Sequence, residues 1–196
     1  YGSQIEEHHA VRKSVGIFDV SHMVVVDISG SESVKFLRLV LANDIAKLKT
    51  PGQALYTCML NPQGGVIDDL IVYFLEESVY RVILNAACYE KDWAWLNDHK
   101  NDYDYLDMTL RDDLAMIAIQ GPDALSVVKR IIPDQEAAID ALKPFSSFAY
   151  KAGLIARTGY TGEDGVEMII PHALAQQLWQ DALADGVRPC GLGARD

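Results

Sequence analysis

The sequence predicts an α+β fold made of two copies of one largely antiparallel unit. Three observations carry this expectation. Short connections between strand-like segments favour antiparallel pairing over a doubly wound parallel sheet. The order strand, helix, hairpin, strand, helix occurs twice. Local matches recur at a nearly fixed spacing: Val26-Asp27-Ile28-Ser29-Gly30 resembles Ala118-Ile119-Gln120-Gly121, 91 residues on, and Trp93 answers to Trp179, 86 residues on.

The elements follow in order. Residues 5–13 read as a polar helix ending near Val15-Gly16, and 17–20 as a short extended piece. Residues 23–28 form a Val-rich strand, with Gly30-Ser31 as a turn and Ser31 as the N-cap of a helix burying Val34, Phe36, Leu37, Val40 and Leu41. Pro51-Gly52 breaks the chain. Residues 55–60 and 66–74 pair across Asn61-Pro62-Gln63-Gly64-Gly65 as a hairpin. A strand at 80–84 and a helix at 89–98 carrying Trp93 and Trp95 close the first copy. The second copy runs through a strand at 115–119, a helix with Leu125, Val128 and Ile132, strands at 148–150, 154–158 and 166–170, and a helix with Leu174, Leu178 and Trp179.

Composition narrows the function. Of 196 residues, 49% are hydrophobic and 23% charged, a globular balance. The net charge of −11 sets the average surface against phosphate, which excludes a general grip on nucleic acid or anionic lipid. No apolar run approaches the ~18 residues of a membrane span. Three widely spaced cysteines, Cys58, Cys88 and Cys190, form neither a CxxC nor a disulfide framework. They suit a reducing compartment and read as small buried hydrophobes.

Three segments hold side chains suited to chemistry. In Gly64-Gly65-Val66-Ile67-Asp68-Asp69 the glycines allow a tight turn or a close-lying ligand, and strand alternation sends the two aspartates to opposite faces. One of them either projects a proton-handling carboxylate into a pocket or serves a solvated hairpin tip. In Thr158-Gly159-Tyr160-Thr161-Gly162-Glu163-Asp164-Gly165-Val166-Glu167, Tyr160 offers a flat ring and Glu167 a carboxylate. That pair suits a flat heterocycle with N–H donors, such as a pterin or purine, though the loop is equally a Gly-rich hairpin. In Cys190-Gly191-Leu192-Gly193-Ala194-Arg195-Asp196, Arg195 offers a planar fork to a carboxylate or pairs with a surface Asp. Adjacent His8 and His9 point about 100° apart on a helix and do not chelate one ion, so no metal site is expected. His22 reads as a structural histidine.

Five blocks occur in order: Gly16-Ile17-Phe18-Asp19-Val20-Ser21-His22-Met23, Gly64-Gly65-Val66-Ile67-Asp68-Asp69-Leu70, Ile119-Gln120-Gly121-Pro122, Thr158-Gly159-Tyr160-Thr161-Gly162-Glu163 and Gly191-Leu192-Gly193-Ala194-Arg195-Asp196. Together they closely resemble the T-protein family, the aminomethyltransferases of the glycine cleavage system, over almost the whole chain. That resemblance implies a duplicated α+β folate-binding body. Its first lobe would be 1–20 with 112–196 and its second 21–111; a further C-terminal domain follows in the family. It also implies transfer of a one-carbon unit from the aminomethyl-dihydrolipoyl arm of H-protein to tetrahydrofolate, with release of ammonia. Asp68 would be the catalytic carboxylate near the reacting folate nitrogens. Glu167 would bond the pterin N–H groups beside Tyr160, Arg195 would lie in the folate site, and Met23 and Tyr56 would line the pocket. The implied location is the bacterial cytoplasm, or the mitochondrial matrix in a eukaryote. Relatives of the fold also occur as folate domains of amine-oxidising flavoenzymes and as non-catalytic folate-binding proteins, which is the alternative reading.

Overall fold

A computed structural model describes residues 1–195. The chain runs α1 (Gln4–Lys13), β1 (Gly16–Asp19), β2 (Val24–Ser29), α2 (Ser33–Val40), β3 (Ala54–Leu60), β4 (Val66–Glu76), β5 (Val79–Leu84), α3 (Tyr89–Lys100), β6 (Asp107–Leu110), β7 (Leu114–Gln120), α4 (Ala124–Ile131), α5 (Glu136–Ala141), β8 (Ser147–Tyr150), β9 (Gly153–Ala156), β10 (Gly165–Pro171), α6 (His172–Ala184) and β11 (Arg188–Pro189). It divides into two compact units, a contiguous one over Met23–Asp112 and a discontinuous one joining Tyr1–His22 to the chain from Asp113 onward.

The contiguous unit is a five-stranded sheet in the order β3-β4-β5-β2-β6, and the discontinuous one a six-stranded sheet in the order β8-β9-β10-β7-β1-β11. Setting β3 on β8, β4 on β9, β5 on β10, β2 on β7 and β6 on β1 superposes the two strand orders. All of these pairs are antiparallel, and only β11 joins β1 in parallel. Each sheet buries one face under its own helices. Val26, Phe36, Leu37, Val72 and Leu96 anchor one core, and Ile119, Val128, Ile155, Met168 and Leu178 the other.

The turn from β2 into α2 and the turn from β7 into α4 share one construction. Gly30 and Gly121 adopt φ of +116° and +133°, a region that L residues avoid. A Cβ on Gly30 would collide with the Tyr105 carbonyl, and one on Gly121 with that of Ser14. Each glycine carbonyl accepts from the first helical N–H, of Ser33 or Ala124, at 3.0 Å. An acid stands at each N-cap. Glu32 accepts from the Tyr105 N–H at 3.0 Å, and Asp123 from the Ser14 hydroxyl at 2.8 Å. Tyr105 and Ser14 lead into β6 and β1, so each acid ties the helix start to the strand that flanks its sheet.

This corrects one expectation. Ser31 is not the N-cap of α2; Glu32 occupies that position, and its side chain makes no bond to the helix N–H groups but turns instead to the incoming strand at Tyr105. Three small elements, α5, β6 and β11, were not expected from the sequence. All are short, and β6 and β11 lie at sheet edges, where one neighbour's register rather than an apolar pattern defines the strand. His22 is exposed in a turn, not a buried structural histidine.

Candidate active site

The β3-β4 hairpin positions Asp68. Asn61 gathers its tip, its side-chain oxygen accepting from the N–H groups of Gln63 at 3.0 Å and Gly65 at 2.8 Å, while Gly64 takes φ +81°. The two glycines therefore serve the turn. Beyond it, alternation along β4 buries Asp68, half-exposes Asp69 and buries Leu70. Asp69 accepts the Tyr56 hydroxyl at 2.6 Å. That bond, followed by burial, pushes the Tyr56 pKa up to about 12.

Asp68, 7% exposed, lies opposite buried Met59. The Asn85 amide donates to both of its oxygens, at 3.1 and 3.2 Å, and to the Asp69 carbonyl at 2.8 Å. Burial raises the Asp68 pKa, but hydrogen bonds from Asp92, Asn85 and the Cys88 thiol outweigh it and hold the group below the ordinary carboxylate range. Cys88 stays a thiol, since burial and then its bond to Asp68 push its pKa up. The result is an ionised carboxylate with fixed orientation, able to accept a hydrogen bond or a proton.

In the other unit, Glu167 on β10 is 5% exposed. The Thr158 hydroxyl donates to it in a short hydrogen bond. Burial raises the Glu167 pKa and the Thr158 bond opposes the rise. The loop from Thr158 to Glu163 is shaped by buried Gln120. Its amide N–H₂ donates to the carbonyls of Thr158 at 3.3 Å and Val166 at 3.4 Å. Its oxygen accepts from the Tyr160 N–H at 3.3 Å and the Thr161 hydroxyl at 3.0 Å. A Cβ on Gly159 would overlap that Gln120 side chain. Tyr160 meets Phe18 edge-on at 5.8 Å, and the Arg195 guanidinium sits 4.9 Å from the Tyr160 ring centre. Arg12 and Arg157 hold the loop's far side, bonding Glu163 at 2.6 Å and Asp164 at 2.6 and 2.9 Å.

Asp68, Tyr56 and Met23 thus belong to the contiguous unit, and Glu167, Tyr160 and Arg195 to the discontinuous one. Tyr160 and Arg195 come together. Tyr56 is directed to Asp69 rather than to Asp68. Met23 is half-buried, one residue before β2. Asp196, the last residue of the fifth block, lies outside the described residues. Sequence reasoning missed Asn85, Asp92, Gln120 and Thr158. Gln120 stood inside a recognised block, yet its role depends on a loop 38 to 41 residues away.

Fold and site define a duplicated α+β body with one buried acid at the interior of each sheet. Residues 2–196 match the family model described as the GCVT N-terminal domain, and the chain belongs to that family. It is 55% identical to the aminomethyltransferase of Bordetella pertussis strain Tohama I, aligning over 100% of this chain and 54% of that protein. It is 54% identical to the aminomethyltransferase of Nitrosomonas eutropha, with the same coverage. The chain therefore spans about half the length of these relatives. The crystal structure of glycine cleavage system aminomethyltransferase T from Bartonella henselae matches 99% of this chain and 52% of its own, with TM-score 0.88 and 33% identity. A heterotetrameric sarcosine oxidase from Corynebacterium sp. U-96 shares the fold at TM-score 0.58 and 12% identity.

Proposed function

We propose that this chain is the folate-binding body of an aminomethyltransferase of the glycine cleavage system. The reaction moves the one-carbon unit from the aminomethyl-dihydrolipoyl arm of H-protein to tetrahydrofolate. Products are ammonia, 5,10-methylenetetrahydrofolate and the reduced lipoyl arm. The observation that carries the reading is an ionised, oriented Asp68 at the end of the Gly64-Gly65 hairpin, in a chain of this family.

Asp68 accepts a hydrogen bond from a reacting folate nitrogen and assists proton movement as that nitrogen attacks the methylene carbon. Orientation contributes as much as basicity. Glu167 accepts the pterin N–H groups. Its raised pKa is relieved when those donors arrive, because a hydrogen-bonded carboxylate ionises more readily. Tyr160 lies beside the ring. Arg195 supplies positive charge toward the anionic glutamate tail, which the net charge of −11 otherwise repels. Met23 and Tyr56 line the pocket. We assign one folate-binding lobe to 1–20 with 112–196 and the other to 21–111. Among the described residues no helix is long and apolar enough to cross a membrane, and we place the protein in the bacterial cytoplasm.

The test is methylenetetrahydrofolate synthesis from aminomethylated H-protein by the whole protein that carries this chain. Asp68→Asn should lower kcat by roughly 100-fold or more with the fold intact by circular dichroism. Near-normal synthesis by that variant would remove Asp68 from the reaction. A flavin absorbance band in the purified protein would instead favour a flavoenzyme folate domain.

A further inference from the structure

Asp92 lies on α3 at a position that faces the sheet, with no exposed surface. The match of Trp93 to Trp179 aligns it with Leu178 of α6, and the burial patterns of 90–96 and 176–182 coincide residue for residue. One unit therefore places leucine where the other buries an acid. An ionised carboxylate is costly to bury unless it is paired, so packing alone would favour the leucine. Neither Asp92 oxygen accepts a hydrogen bond from a protein donor among the described residues. The group it faces is Asp68: donor atoms of Asp68, Cys88 and Asp92 all lie within 4.8 Å of one another. Two carboxylates at such range do not both ionise, and one keeps a proton. The surroundings decide which. Asp68 receives Asn85 and the Cys88 thiol; Asp92 receives neither.

We propose that Asp92 is a positioning residue for Asp68, the neutral acid of a proton-sharing pair, which donates a hydrogen bond that keeps the Asp68 carboxylate ionised and fixed in direction. This rests on the reading of Asp68 as the carboxylate that meets the folate nitrogen. The electrostatics agree. Burial first, then the bond to Asp68 and its negative charge, push the Asp92 pKa up to about 7. The charged and titratable groups around it are Asp68 from β4, Cys88 from the 3-10 turn Ala86–Cys88, and Lys91 from its own helix. Lys91 opposes the rise, but its ammonium donates to the Ile67 carbonyl at 2.6 Å. Above neutrality Asp92 loses its proton, the donor is lost and two like charges meet. The pair predicts an alkaline decline in kcat that depends on Asp92.

The experiment uses the whole protein as wild type, Asp92→Asn, Asp92→Leu and Asp68→Asn. Carboxyl carbons of 13C-aspartate-labelled protein are titrated by NMR without substrate, and kcat and KM for tetrahydrofolate are measured across pH. Wild type should show one aspartate that stays protonated to near neutrality, and Asp92→Asn should abolish that signal. Asp92→Asn keeps a donor but cannot titrate, so its kcat should lose the alkaline decline. Asp92→Leu, which installs the residue of the sister helix, should lower kcat roughly 10- to 100-fold with KM little changed. If Asp92→Leu does not fold, Asp92→Asn carries the test. Ordinary carboxylate titration of every aspartate in wild type, or a wild-type pH profile in Asp92→Asn, overturns the proposal. Failure of the wild type to transfer the one-carbon unit to tetrahydrofolate would instead overturn the functional reading, while the NMR titration still decides the pair.

Discussion

At one position of the sheet the two units carry opposite charges. Arg81 on β5 and Glu167 on β10 fall on each other when Trp93 is set on Trp179, and both are buried. Arg81 faces Asp27 across the strand pair and donates two hydrogen bonds to it, at 2.7 and 2.8 Å; Arg111 reaches the same carboxylate. The cross-strand neighbours of Glu167 are Ala118 and Ala156. One interior charge is closed into an ion pair, and among the described residues the other is left with the Thr158 hydroxyl. A buried pair holds itself together, whereas a buried acid with a single neutral donor retains affinity for something else. The duplicated scaffold thus keeps its glycine-and-acid turns in both copies and differs at interior polar positions.

Asp27→Ala should give the largest effect, about 3–5 kcal/mol of lost stability, because it strands the buried Arg81 guanidinium. Urea unfolding would show it, and a loss below about 1 kcal/mol would mean the pair is no tighter than a surface bridge. Next come Gly30→Ala and Gly121→Ala. Each forces a Cβ onto a carbonyl at positive φ and should cost roughly 2–3 kcal/mol by the same measurement. Similar losses at the two glycines would support the equivalence of the turns, and a loss at only one would break it.

Glu167→Gln should have the smallest effect on stability and the opposite sign to Asp27→Ala. The folded-state pKa of Glu167 is raised from 4.5. Between that value and the raised one the folded state binds more protons than the unfolded state, so stability falls as pH rises through the window. The amide does not titrate and should flatten that slope in thermal melts at increasing pH. The same variant should weaken tetrahydrofolate binding by roughly 10-fold in calorimetry. An unchanged dissociation constant would remove Glu167 from the pterin.

Much of this was legible in the sequence. The repeat, the hairpin before Asp68, the alternation that separates Asp68 from Asp69 and the loop carrying Tyr160 all rest on local patterns. Asp92 was legible too, because the register that aligns Trp93 with Trp179 also sets an acid on Leu178. It went unread because a lone Asp in a polar helix looks solvated. The Tyr56–Asp69 bond and the hold of Gln120 on the Thr158 loop were not legible, since each depends on which strand neighbours which. The cap of α2 was misplaced on Ser31 because capping preference favours Ser. The reach of Glu32 to Tyr105 is a tertiary contact that no local rule contains.

The discontinuous unit also orders events in time. β1 must wait for β7, which begins at Leu114, and β11 at Arg188–Pro189 completes that edge later still. The contiguous unit needs nothing beyond Asp112 to close. At synthesis rates of about 5–20 residues per second, the first strand emerges and stays unpaired for several seconds or longer. The contiguous unit is then the first of the two to fold, and the β1 segment, with buried Ile17 and Phe18, is exposed to chaperones or aggregation while it waits.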